Sequence, residues 1–358
     1  MRASNPLGTL SGWAAWAALA ALVAAAWAAD APFYADKQDL LVYLEAGESK
    51  PVRNSQDWER RRRHIVANME SVMGPFPASE RPPLDVRVIE GVALDGYTRK
   101  SITYAAREPE DRVPAYLLIP EHPNGAGILA LHPTGELGKG IAVGLGDRPN
   151  RGYAHELARR GYVVLAPDYP YMGDAQTDPY ALGYVSGTMK GIYNHSRGVD
   201  LLLSLPQVQV GRIGAIGHSL GGHNALFAGI FEPRVRAIVT SCGFNAFPKY
   251  KGGDLTGWSS DKYMPRIASL YGKDPRRMPF DFTEVLAALA PRAVFISGPT
   301  GDDNFEVSGV RDCVRSAVPV YEMFDAAKNL VAVHPDCGHD FPPEIREQAY
   351  RFLDESLL

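Results

Sequence analysis

Cysteine is scarce in this chain. Cys242, Cys313 and Cys337 are the only three in 358 residues. So low a count excludes a disulfide-framed scaffold and permits at most one internal bridge, whose existence the sequence leaves open. None of the three has the close spacing to a second cysteine that a structural zinc site needs. Cys337, just ahead of His339, reads as a small buried residue at a strand end. An excess of one charge is also missing. With 37 Lys and Arg against 41 Asp and Glu the net charge is −4, which gives no reason to expect nucleic acid as a partner. There is no internal repeat, and no low-complexity segment beyond the first thirty residues.

Those first residues lack acidic groups until Asp30, and Arg2 is the only charge before it. An Ala/Leu/Val/Trp stretch runs from Trp13 to Trp27, and Ala26 and Ala28 are small residues where a signal peptidase reads. Residues 1–28 are therefore expected to be an export signal cleaved after about Ala28, delivering the chain to the periplasm or the extracellular space. Membrane attachment is expected only if the segment stays uncleaved, since the uncharged run is long enough to span.

Apolar residues make up 46% of the chain, enough for a full core. Residues 29–83 are expected to be an N-terminal helical segment packed on that core. Leu40, Leu41 and Leu44, then Trp58, Ile65, Met69 and Val72, recur at helical spacing from Asp36 to Met73. Arg60-Arg61-Arg62-Arg63 within it reads as a solvated helix face. From residue 84 to 358 the pattern changes. Asp85–Val92 and Thr98–Ala105 alternate as half-exposed strands do, whereas Ala115–Ile119 and Gly127–Leu131 are continuously apolar. Helices are then expected at Tyr153–Arg160, Ser196–Leu205 and Glu344–Leu353, alternating with strands at Tyr162–Ala166, Val235–Ser241, Ala293–Ser297 and Leu330–Val333. That alternation predicts an α/β fold, a mostly parallel doubly wound sheet with flanking helices. Residues 243–290 break the pattern and are expected to form a cap-like insertion after the sixth core strand, part of the pocket wall.

One stretch organises the rest. The run Ile213-Gly214-Ala215-Ile216 ends in Gly217-His218-Ser219-Leu220-Gly221, and the helix-forming Asn224-Ala225-Leu226-Phe227-Ala228 follows. A strand, a sharp turn and a helix around G-x-S-x-G place Ser219 at the apex of a nucleophile elbow. A serine hydroxyl needs a base, the base an acid to orient it, and the developing oxyanion needs backbone donors. On such a sheet they follow in the order Ser, acid, His. His339, after a glycine in the loop behind the last strand, is the expected base. His218 and His223 are expected to point away from Ser219. Asp302 and Asp303 both fit the acid position; Asp302 is preferred, with Asp303 bracing the loop through its own backbone. Leu220 N–H and Thr134 N–H are the expected oxyanion donors, because Pro133 carries no N–H. His132 is expected to support that loop.

Three motifs in order carry a resemblance: Leu131-His132-Pro133-Thr134-Gly135-Glu136-Leu137-Gly138, the elbow, and Asp302-Asp303-Asn304-Phe305. The chain resembles α/β-hydrolases of the broad group with dienelactone-hydrolase-like, acetyl xylan esterase-like and prolyl-oligopeptidase-like enzymes, over residues 84 to 358. The apex is serine where dienelactone hydrolases proper carry cysteine. The resemblance implies an α/β-hydrolase fold and a serine esterase acting on small acyl esters, acetyl groups on polysaccharide among them, with no cofactor and no metal. A small serine peptidase or amidase is the alternative. Small-molecule or polysaccharide esters are the expected partners; the oligomeric state is left open.

Overall fold

The computed structural model describes residues 31–358 apart from Ser79. The export-signal reading of residues 1–28 falls outside the described residues. The first elements are a hairpin, β1 (Val42–Glu45) and β2 (Glu48–Pro51), and helix α1 (Ser55–Met73). The helical expectation for residues 36–51 is therefore wrong. Ala46 and Gly47 both have positive φ, 52° and 83°, the two-residue turn that joins antiparallel strands. Asn54 then starts α1 by accepting the N–H groups of Gln56 and Asp57.

A nine-stranded sheet follows: β3 (Arg87–Leu94), β4 (Tyr97–Ala105), β5 (Arg112–Pro120), β6 (Gly127–Leu131), β7 (Val163–Pro167), β8 (Ile213–His218), β9 (Val235–Ser241), β10 (Ala293–Ser297) and β11 (Leu330–Val333). Its spatial order is β11-β10-β9-β8-β6-β7-β5-β4-β3. The strands from β7 to β11 pair in parallel, and β5, β4 and β3 run antiparallel at one edge. The insertion after β9 thus follows the sixth strand when counting starts at β4, since β3 is an added and fully exposed edge. The helices are α2 (Lys139–Ala142), α3 (Tyr153–Arg159), α4 (Gly187–Ser204), α5 (Leu220–Phe231), α6 (Arg266–Ser269), α7 (Phe282–Ala287), α8 (Val307–Met323) and α9 (Pro343–Leu357).

Period-two alternation in the central strands builds two cores. Leu129, Leu131, Leu165 and Ala215 face Ile192 and Tyr193 of α4 and Leu226 and Phe227 of α5. Ile128, Ala130, Val164 and Ile216 face Tyr153 and Leu157 of α3 and Ile345 and Leu353 of α9. After β6 the chain steps to β7 on one side and then to β8 on the other. Their loops diverge there, which opens a crevice at the carboxyl ends of the strands.

Helices α4 and α8 differ most from expectation. Helix α4 begins at Gly187, capped by Ser186, rather than at Ser196. Its early glycines mask it in the sequence and are there for close approach: a Cβ on Gly187 would lie 2.3 Å from the Lys262 carbonyl oxygen. Helix α8, unanticipated, holds Gly309 and Pro319, both poor helix formers. The arginine run is a solvated face only in part: Arg63 is exposed, but Arg61 and Arg62 turn inward. Arg61 is fully buried, pairs with the equally buried Glu284, and lies 3.4 Å over the Tyr34 ring. Arg62 donates to the Ala288 carbonyl.

Burial also sets an acid sensitivity. It lowers His195 and His223 to about 3, His64 to about 4, and His218 well below its ordinary value. Below pH 6.5 the unfolded chain protonates these imidazoles and the folded one does not, so stability falls with falling pH. Asp281, pushed up to about 7 by burial, binds its proton in the folded state first and offsets one of them. Each net proton is worth about 1.4 kcal/mol per pH unit. Denaturant unfolding between pH 7 and pH 5 is expected to show a steep loss of stability; a flat profile would contradict it.

Candidate active site

The sequence around residue 219 forces the backbone into an unusual turn. Strand β8 is wholly buried, α5 starts at the next residue, and Ser219 between them has φ 56° and ψ −119°. A non-glycine residue there is strained and is held by its surroundings. The two flanking glycines make the turn sterically possible: a Cβ on Gly217 would sit 2.2 Å from the Gly221 carbonyl, and one on Gly221 would sit 1.9 Å from the Leu131 oxygen. Ser219 N–H donates to the Ser241 carbonyl at 2.8 Å. Leu220 N–H, the first of α5, has no acceptor among the described residues, so it is free to bind an anionic oxygen.

Loops behind β10 and β11 bring the other two side chains. His339 Nδ1 lies 2.9 and 3.0 Å from the two Asp302 oxygens. The Asp302 side chain is fully buried, while that of His339 is 27% exposed. Asp302 also accepts the N–H groups of Asn304 and Phe305. Burial alone would raise its pKa, but the hydrogen bonds from His339 and these backbone groups outweigh it and hold the carboxyl below its ordinary value. The bracing expected of Asp303 is thus carried by Asp302 itself; Asp303 is exposed. The His339 loop is anchored by Arg151, which pairs with Asp340 and donates to the His339 carbonyl. The Ser219 hydroxyl makes no hydrogen bond among the described residues, and the serine–base bond of such sites is often long before substrate binds.

Of the two histidines expected to face away from Ser219, His223 does not. His218 packs its ring 4.8 Å from that of His339. His223 lines the cleft beside Trp258, with ring centroids 4.7 Å apart. Cys242, which follows β9 with φ 48°, is a further buried neighbour. Its sulfur, an Asp302 oxygen and a His339 nitrogen lie within 4.8 Å of one another. That grouping suits a hydrogen-bonded cluster better than a cation, because Asp302 is already fully engaged and burial beside it keeps the thiol protonated. All three cysteines are free thiols, and Cys337 is half-buried in the His339 loop rather than at a strand end.

The loop after β6 is held from behind. His132 Nε2 accepts Tyr169 N–H at 2.9 Å, so its proton sits on Nδ1 and is donated to the Pro133 carbonyl. Asp168, at the end of β7 and fully buried, accepts from the Lys139 and Asp174 N–H groups and from the Lys139 ammonium. Thr134 is thereby presented at the cleft, its hydroxyl 2.9 Å from that of Tyr263.

The cleft beside Ser219 is shallow, with room for about 70 Å³. Thr134 and Leu220 form one side; Tyr250, Gly257, Trp258 and Tyr263 of the insertion, with Asn304 and Phe305, form the rest. Tyr169 and Tyr171 do not line it. Tyr169 is buried against the Lys262 carbonyl and Tyr171 binds Asp178 on an outer loop. The insertion aromatics have no periodicity, so their only sequence signal is their density in a loop. A much larger groove opens at the opposite, amino ends of the strands.

The Dienelactone hydrolase family profile matches residues 113–251, and one described as "Glucuronyl esterase, fungi" matches residues 186–325. Among named proteins, the chain is 27% identical over 263 residues to the "Putative hydrolase YtaP" of Bacillus subtilis, covering 69% of this chain and 84% of that one. It is 24% identical over 341 residues to 4-O-methyl-glucuronoyl methylesterase 1 of Wolfiporia cocos, covering 86% and 78%. A solved glucuronoyl esterase from Solibacter usitatus superposes with a TM-score of 0.71 at 21% identity, over 92% of this chain and 99% of that chain.

Proposed function

We propose that the chain is a carboxylic-ester hydrolase of the α/β-hydrolase superfamily that cleaves carbohydrate esters with Ser219 as nucleophile, His339 as base and Asp302 as the acid orienting that base. The observation that carries this reading is the two-oxygen grip of Asp302 on His339 Nδ1 beside a strained Ser219. With Nδ1–H fixed, Nε2 is left to take the Ser219 proton as Oγ attacks the ester carbonyl. The oxyanion is received by the N–H groups of Leu220 and Thr134. Collapse breaks the ester bond, the alcohol leaves with the proton from His339, and an acyl-serine remains. Water then attacks through the same base and releases the acid. The cycle calls for no metal or organic cofactor. Export ahead of action on extracellular polysaccharide belongs to the same reading and is supported by the composition of residues 1–28.

For the substrate, the named relatives support a uronoyl ester over the acetyl ester that the sequence suggests. The sugar would lie across the rim, where Trp258, Tyr250 and Tyr263 offer ring faces and Thr134 and Asn304 polar groups. The narrowness of the cleft favours a second reading, a small acyl group such as acetyl. Parallel assays on methyl and benzyl esters of glucuronic acid, acetylated xylan and a peptide amide separate these. The uronate esters are expected to give a kcat/KM at least about tenfold above the acetyl ester, a gap of about 1.4 kcal/mol in transition-state binding. The reverse order would replace uronoyl by acetyl, and faster amide cleavage would remove the ester reading.

A further inference from the structure

A groove with room for about 900 Å³ lies at the amino ends of β9, β10 and β11. The seven residues of β9, at about 3.3 Å each, separate it from the Ser219 end of the sheet by roughly 23 Å. Its cations come from neighbouring elements at that end of the sheet: Arg236 is the second residue of β9, Arg292 immediately precedes β10, and Lys328 lies in the 3-10 turn just ahead of β11. Arg62, from α1, lines the same groove.

These four cations face only two carboxylates, Glu59 and Glu355, and Glu59 is taken up by Arg62 at 3.8 Å. Arg236, Arg292 and Lys328 form no ion pair among the described residues. Arg292 donates only to the backbone carbonyls of Leu289, Glu232 and Val235, and burial together with Arg62 pulls it down to about 10. Trp58 lines the groove too, and its indole N–H is buried with no acceptor. Clustered like charges repel. That repulsion is relieved by a ligand that brings several negative charges along its length.

We propose that this groove is a second carbohydrate site, remote from Ser219, that takes an anionic oligosaccharide bearing carboxylates. Arg236, Arg292 and Lys328 would bind the carboxylates, and the half-buried Phe352 ring at its edge would offer a face to a sugar. The carbohydrate reading above supplies the class of the anion; the demand for an anion rests on the groove alone. Such a site would hold the polymer while the ester is presented at the far side.

The test is calorimetric binding of an oligogalacturonide to the full chain, with inorganic sulfate and a neutral xylo-oligosaccharide as the other arms. Arg236 and Lys328 are exposed, so Arg236→Glu and Lys328→Glu are expected to fold, checked by unchanged thermal midpoints. The oligogalacturonide is expected to bind, weaken with added salt, and lose at least about tenfold in affinity in either variant. Hydrolysis of a small neutral ester by the same variants is expected to stay unchanged. Absence of binding, affinity untouched by both substitutions, equal affinity for the neutral sugar, or sulfate binding as tightly as the oligomer would each overturn the proposal. A chain that binds the oligomer but hydrolyses no ester would leave this site standing and remove the reading of Ser219.

Discussion

Ser219→Ala is expected to lower kcat for ester hydrolysis by about a millionfold, the scale on which a serine hydrolase loses rate with its nucleophile. The loss should fall on kcat, because Oγ acts by forming a bond to the ester carbonyl in the transition state. The fold should be unaffected. The strain at residue 219 comes from a φ of 56°, which alanine tolerates no better and no worse than serine, and the contacts that enforce it belong to Gly217 and Gly221. A pre-steady-state assay with excess chromogenic ester reads both the acylation burst and the steady rate. Retention of either at the native level would remove the acyl-enzyme mechanism.

Asp302→Asn is expected to cost about 10⁴ in kcat, the effect of replacing a triad aspartate by its amide. An amide in that place offers a donor as well as an acceptor to Nδ1, and so permits the tautomer in which Nε2 already carries a proton and cannot take another. The neighbouring Asp303→Asn should change the rate less than about twofold, as surface substitutions away from a site do, because that side chain is exposed and the loop is held by Asp302. The contrast between adjacent carboxylates is the diagnostic. A larger loss from Asp303 would mean that the loop rearranges when substrate binds. The low pKa of Asp302 adds a pH expectation: its carboxylate stays ionised below the ordinary aspartate range, so the acid limb of kcat/KM should not shift in Asp303→Asn.

Much of this arrangement was legible in the sequence because its determinants are local. Continuous apolar runs mark β6 and β8, and glycines spaced around Ser219 mark a turn that only they can make. The register of Asp302 and His339 behind consecutive strands follows from sheet order. What stayed hidden depends on contacts far along the chain. The spacing of Leu40, Leu41 and Leu44 mimics a helix until Ala46 and Gly47 reverse the chain. Arg61 looks like a surface residue until Glu284 is beside it. Asp302 and Asp303 are indistinguishable by spacing; which one turns inward is settled by the loop's own N–H groups. The cleft wall was the least legible part, since Tyr250, Trp258 and Tyr263 sit on irregular backbone whose course no periodicity encodes.

The buried pair between Arg61 and Glu284 also has a consequence in time. The partners are 223 residues apart, and at about 5 to 20 residues per second a ribosome releases Glu284 roughly 10 to 45 seconds after Arg61. Throughout that interval α1 has an unpaired guanidinium on the face it must bury, so it cannot dock. Docking of α1 is therefore expected to wait until the segment that carries Glu284 has emerged.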